Sequence, residues 1–199
     1  MNRIKDIATL EALYPAPVPA SIAKQTAGLT PLYRKWVEGS RFCILSTVGE
    51  GVHGTPRGDD GPVVRVQDAQ TLLMPDWMGN NRLEALRDIV TDGRVGLLFM
   101  VPGSTTTLRV NGRAYLTDDA TLRAGFAKGT RQPATVIVVD IAEVYTQCAK
   151  AMLRSGLWTR DDSATVPRTG DMLAEVTNGA HGGADYDSNY PAYAAPRMW

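Results

Sequence analysis

The sequence predicts a mainly β protein with flanking helices, its strands closed or partly closed into a barrel. Six or seven apolar or alternating segments lie between Phe42 and Tyr145, joined by short turns bearing Gly, Pro and Asn. One central helical pattern stands among them, with Leu83, Leu86, Ile89 and Val90 on one face. The strand–helix–strand repetition that a doubly wound parallel sheet requires is absent.

Taken in order, Ile4, Ile7, Leu10 and Leu13 have helical spacing up to Tyr14. The run PAPVPAS over 15–21 is expected to be extended, since each proline disfavours helix in the residue before it. Thr30-Pro31 reads as an N-cap and first helical position, opening a short helix that ends near Gly39. Phe42–Val48 is a strand, Gly49-Glu50-Gly51 a turn, and 52–59 a second, irregular strand carrying polar groups. Pro62–Val66 and Thr71–Met74 form a hairpin pair, and Pro75 ends the second of these. Gly79-Asn80-Asn81 supplies a turn and an N-cap, with Glu84 three residues after Asn81 as in a capping box. Val95–Val101 is strongly apolar, and Thr106–Leu116 alternates through Leu108, Val110, Gly112, Ala114 and Leu116. Leu122–Lys128 is a helical turn, Ala134–Tyr145 the clearest β segment, and Gln147–Leu153 a short helix leading into Arg154–Trp158. Residues 177–199 are rich in Gly, Ala and Tyr without periodicity and read as a tail, disordered or laid across a partner subunit.

The chain has 199 residues, enough for one domain with a real core. Three parts are expected: an N-terminal arm over 1–35, a barrel domain over 36–160, and a C-terminal extension over 161–199. A formal net charge of zero gives no broad electrostatic case for nucleic acid or an anionic membrane surface. The charged N-terminus lacks the apolar stretch of a signal peptide, no run approaches transmembrane length, and a cytoplasmic location is expected. Cys43, inside an apolar strand, reads as a small core residue, although a disulfide with Cys148 stays open.

Chemistry is constrained first by absences. The two histidines, His53 and His181, lie in unrelated contexts, so no metal site is expected. No GxSxG elbow, GxGxxG or GxxxxGK[ST] is present. Three arginine-bearing segments remain: Thr55-Pro56-Arg57-Gly58-Asp59, Gly79-Asn80-Asn81-Arg82, and Thr105 through Arg109 to Gly112. Guanidiniums and hydroxyls on separate elements suit a phosphate that bears a polyol chain. Arg82, placed at a helix start where the dipole disfavours a cation, either assists an anion bound there or faces solvent. The alternative is that each arginine pairs with Asp59, Asp76 or Glu84 at the surface.

The order FCILSTVGEGVHGTPRGDDGP, TLLMPDWMGNNRLEALRDI, VGLLFMVPGSTTTLRVNGRAYL resembles the pyridoxamine 5′-phosphate oxidase-like family of FMN-binding split barrels over roughly residues 36–160. It is most similar to a subgroup carrying SPRGD-, PDxxGNNR- and TLRVNGRA-type segments. The resemblance implies a homodimer with FMN at the subunit interface. It places Arg57, with Gly58, and the Asn80-Asn81-Arg82 segment at the FMN phosphate, and Met74, Pro75 and Asp76 along the isoalloxazine ring. Thr107, on the strand that also carries Arg109, matches a ribityl or ring contact, and Arg154, Ser155 and Trp158 form an element donated across the dimer, though Trp158 also suits a core position. The oxidase's strand lysine is missing after Arg57, and its substrate-binding arginine and histidine have no counterpart. The implied activity is therefore an FMN-dependent oxidoreductase acting on a different small molecule, with no catalytic side chain assigned. The alternatives are a flavin-binding or sensing protein without turnover, and a barrel holding haem, with His53 as axial ligand, or a deazaflavin. The apolar runs Val95–Val101 and Ala134–Tyr145 also predict more apolar face than one barrel buries, which favours a dimer.

Overall fold

A computed structural model describes residues 1–199. Seven strands form one antiparallel sheet: β1 (Phe42–Val48), β2 (Val52–Gly58), β3 (Arg65–Val66), β4 (Thr71–Asp76), β5 (Arg94–Met100), β6 (Thr107–Thr117) and β7 (Thr135–Gln147). Their order is β2-β1-β5-β6-β7-β4-β3. The two ends of the sheet are not hydrogen-bonded to each other. They are bridged by side chains instead, Arg57 of β2 reaching Asp76 of β4, so the barrel is split along this seam.

The alternation of β1 sends Cys43, Leu45 and Thr47 inward. Cys43 and Leu45 meet Leu97 and Phe99 of β5, Leu108 and Val110 of β6, and Met74 of β4 in one continuous core. β7 is buried on both faces over Val136–Val139, because Leu122 and Phe126 cover Val136 and Val138 from outside. That part of the apolar surface expected to seek a partner is thus satisfied within the chain. Gly112 sits at a register shift between β6 and β7, where an added Cβ would lie 2.0 Å from the Asp140 carbonyl oxygen. Only glycine allows this approach.

Helix α1 (Ile7–Glu11) is shorter than the spacing predicts, and its apolar residues remain exposed. The expected extended run ends early, because Pro19 occupies the first position of α2 (Pro19–Ala23), where a missing N–H costs nothing. Helix α3 (Pro31–Glu38) forms as predicted: the Thr30 hydroxyl accepts the Tyr33 N–H at 3.2 Å, and Gly39 is the C-cap.

Around β4 two expectations fail. Pro75 does not end the strand, which pairs with β7 through Asp76. β3 covers β4 only at Leu72 and Leu73, so beyond them β4 is an edge, where a residue without an N–H is tolerated. Helix α4 spans Glu84–Thr91 and starts later than predicted, since Asn81 and Leu83 both take left-handed backbone at φ 59°. The capping box therefore does not form, Arg82 precedes the helix, and Leu83 and Val90 are exposed while Ala85, Asp88 and Ile89 are buried.

Helices α5 (Ala120–Ala124) and α6 (Lys150–Ser155) lie within three residues of their expected starts. The tail is not structureless. It contains α8 (Ala184–Ala194), which is pinned to α7 (Thr169–Val176), just before the tail, where the Asp187 carboxylate accepts the Gly170 N–H at 2.8 Å. Tyr186, Tyr190 and Tyr193, spaced by four and three, line one side of α8 with ring centroids 5.8 and 6.3 Å apart. That spacing was the helical signal that the small and polar composition obscured. Cys43 is buried and Cys148 exposed, both as free thiols, and burial pushes the Cys43 thiol up to about 12. No helix is long and apolar enough to cross a membrane.

Candidate functional site: a cleft in the barrel seam

The seam between β2 and β4 opens into a cleft of about 410 Å³, walled by β2, the end of β4 and the loop before α4. Arg57, Gly58, Met74, Pro75, Asp76, Asn80, Asn81 and Arg82 all line it. Residues from three separate segments of sequence thus converge, because the edge strand β2 meets the part of β4 that β3 leaves uncovered at the other side of the sheet.

The electrostatics of the cleft differ from the expectation of free cations. Arg57 Nη1 donates to Asp76 Oδ1 at 2.5 Å, with the two side chains 18% and 13% exposed. Arg57 Nε is buried and lacks a protein partner, so the guanidinium keeps a donor in reserve. Arg82, 69% exposed, pairs with Glu84, and this guanidinium holds the Glu84 carboxyl below its usual range. The surface pairing weighed from sequence is therefore present in part at both arginines, although both remain on the cleft wall. The Asn80 side-chain oxygen accepts the Arg82 N–H at 3.1 Å and shapes the loop.

The remaining candidates lie elsewhere. Thr107 is buried at the start of β6. Arg109 donates to the Tyr145 hydroxyl at 3.1 Å. Arg154 and Ser155 are exposed at the end of α6, the Ser155 hydroxyl bonding the Met152 carbonyl. Trp158 is not a core residue: its ring N–H donates to the Ser104 carbonyl at 2.7 Å with the side chain partly exposed. The structure does not bring these five residues to the cleft within one chain.

Several cleft residues escaped the sequence reading. Trp77 lines the cleft and donates to Asp59 Oδ2 at 3.0 Å. Lys128 pairs with Asp59 and Asp60; burial opposes its charge, but the two carboxylates outweigh that and hold the ammonium above its ordinary range. Met198 reaches the cleft, and Trp199 packs edge-on against Trp77 at 5.8 Å with the Lys128 ammonium 3.4 Å above its ring. Arg131 secures this return by donating to the main-chain oxygens of Pro196 at 2.5 Å and Trp199 at 2.7 Å. Asp59 and Trp77 stood inside the TPRGD and PDWMGNNR segments, whereas no local signal pointed from Trp199 to Trp77. Beyond the cleft wall, Asp88 of α4 accepts from the Thr47 hydroxyl at 2.6 Å and bonds His53 Nδ1 at 2.7 Å.

The family model for pyridoxamine 5′-phosphate oxidase matches residues 29–148, more than half of the chain. The protein belongs to the pyridoxamine 5′-phosphate oxidase family. The match takes in every strand and both arginine segments of the cleft. No curated protein matches the sequence. Among solved structures, the fold is similar to that of a variant of HupZ from Group A Streptococcus, with TM-score 0.50 and 12% identity over 59% of this chain and 98% of that one. A protein from Lactobacillus delbrueckii described as a candidate pyridoxamine 5′-phosphate oxidase aligns with TM-score 0.49 and 23% identity over 60% and 95%. General stress protein 26 from Bacillus anthracis aligns with TM-score 0.43 and 19% identity over 56% and 88%. These likenesses are of fold, and the split barrel is the fold of this chain.

Proposed function

We propose that this member of the pyridoxamine 5′-phosphate oxidase family binds FMN in the seam cleft and is an FMN-dependent oxidoreductase of a small molecule other than pyridoxamine phosphate. The observation that carries this reading is Arg57: a largely buried cation on the cleft wall, anchored by Asp76, with a buried Nε that no protein group satisfies. Such a donor is costly unless a ligand meets it. A phosphate would take the Arg57 donors while Arg82, exposed and held only by Glu84, supplies a second charge-assisted bond from the loop. The cleft volume falls in the range of sites for molecules of this size.

FMN, when bound, supplies the redox chemistry. The chain's own residues bind and orient. Asp76 sets the Arg57 guanidinium, Asn80 and Asn81 shape the loop, and Met74 and Pro75 offer an apolar wall for a ring. Trp77, with Trp199 packed against it, walls one side of the cleft. Thr107, Arg109, Arg154, Ser155 and Trp158 are assigned to the site completed by a second copy of the chain. A homodimer with FMN at the interface is thus part of the proposal, as is the division into an arm (1–35), a flavin-binding domain (36–160) and an extension (161–199).

Mass spectrometry of cofactor released from purified protein tests the reading and should show FMN. FAD, haem or a deazaflavin in its place, or no binding after reconstitution with FMN, overturns it. Sedimentation should give a dimer; a monomer that retains FMN tightly refutes the interface.

A further inference from the structure

The pair His53–Asp88 has no part in the reading above, and its placement is informative. β2 is an edge strand, and His53, Thr55 and Arg57 occupy alternate positions on its inner-facing side. Thr55 and Arg57 line the cleft, and His53 continues the same row just beyond that wall toward α4, with Arg82 and Glu84 of the wall close enough to act on its ring. Its ring is fixed. Nδ1 meets Asp88 Oδ2 at 2.7 Å, and Asp88, buried in α4, is itself held by the Thr47 hydroxyl at 2.6 Å. The β1–β2 turn closes over this carboxylate: a Cβ at Gly49 would stand 2.1 Å from Asp88 Oδ1. The geometry spends Nδ1 on alignment and leaves Nε2 as the free group of a ring 37% exposed.

We propose that His53 is an anion-binding residue at the α4 end of the cleft, acting with Arg82 on the phosphate of a bound ligand, and that Asp88 is its positioning residue. The inference rests on the FMN reading. The charged groups acting on the imidazole are few: Asp88 and Glu84 from α4 favour its cationic form, and Arg82 from the preceding loop opposes it. β1 presents only the Thr47 hydroxyl, and β2 adds Arg57 further along the row. The carboxylate bond to Asp88 dominates and raises the imidazole above its ordinary range, against partial burial. Protonated, Nε2–H donates to phosphate; deprotonated, with its remaining proton on Nδ1 toward Asp88, Nε2 offers a lone pair that repels it. No group of three His, Cys, Asp or Glu side chains converges here, so a metal site does not compete for the ring.

The test compares FMN with riboflavin, which lacks the phosphate, by fluorescence titration of flavin-free protein at about pH 6.5, the ordinary imidazole value above which His53 is raised, and at about pH 9. The FMN-to-riboflavin affinity ratio should fall about tenfold at the higher pH, the difference between a charged and a neutral hydrogen bond. His53→Asn, which retains a donor to Asp88, and His53→Gln, which retains a polar group toward the cleft, should each hold that ratio constant within about twofold. NMR gives a second readout without altering His53. Of the two imidazole signals, the one that survives His181→Gln should titrate at higher pH with FMN bound than with riboflavin bound, as linkage requires. An unchanged ratio in wild type, an equal fall in both variants, or an imidazole indifferent to the phosphate overturns the role of His53 while leaving FMN binding intact. Failure of wild type to bind FMN at either pH overturns the flavin reading and this inference with it.

Discussion

Removing Asp76 probes the seam most directly. In Asp76→Ala, Arg57 keeps a cation that is only 18% exposed, loses its 2.5 Å bond, and has Nε already without a partner. A hydrogen bond to a charged group is worth about 1.5–3 kcal/mol. Stranding one half of a fully buried pair costs about 3–5 kcal/mol. The residual exposure of both side chains places this pair between those ranges, at about 2–3 kcal/mol. For a chain of this size each kcal/mol lowers Tm by about 2–4 °C, so calorimetry of the flavin-free protein should show a fall of about 4–12 °C. Arg57→Ala/Asp76→Ala should be less destabilised than the sum of the single changes, with a coupling of about 1–2 kcal/mol, because neither charge is then left alone. If phosphate is the missing partner of Arg57, FMN should raise the Tm of Asp76→Ala by more than it raises that of wild type. A Tm within about 1 °C of wild type for Asp76→Ala, or strict additivity in the cycle, would refute the assignment of this pair as the clasp of the split barrel.

Three further outcomes are expected. Arg82→Ala, altering a side chain that is mostly solvated, should leave Tm unchanged within about 1 °C yet weaken FMN binding about fivefold to tenfold by titration. Trp199→Ala removes an edge-on aromatic pair and a cation–π contact and should cost about 1–3 kcal/mol by denaturant unfolding, with a change in the emission of Trp77. The His53–Asp88 pair should shape stability against pH on both sides. The lowered Asp88 carboxyl, held down first by the Thr47 hydroxyl and then by His53, contributes above its unfolded pKa and is lost in acid. The raised imidazole contributes fully below about pH 6.5, and that part is lost as pH rises through its folded value. Chemical unfolding followed across pH should therefore show an alkaline decline in wild type that His53→Asn flattens; equal slopes in the two proteins would contradict the pairing.

Much of the fold was legible because its signals are local. The alternation in Phe42–Val48, the apolar run of β7, and Thr30-Pro31 ahead of α3 each specify an element through the preferences of adjacent residues. The TPRGD and PDWMGNNR segments named the cleft residues Arg57, Asp76 and Arg82 in the same way, since motif and turn chemistry travel with the chain. Tertiary structure decided what those residues face. β4 continues through Pro75 because β3 is too short to cover it, and α4 starts at Glu84 because Asn81 and Leu83 adopt left-handed backbone. Arg57 finds Asp76, His53 finds Asp88, and Trp199 returns to Trp77 only because the strand order brings β2, β4 and the C-terminal segment to one seam. Periodicity and capping are short-range properties of a sequence, whereas a contact across a split sheet depends on which strands become edges, and no run of adjacent residues encodes that.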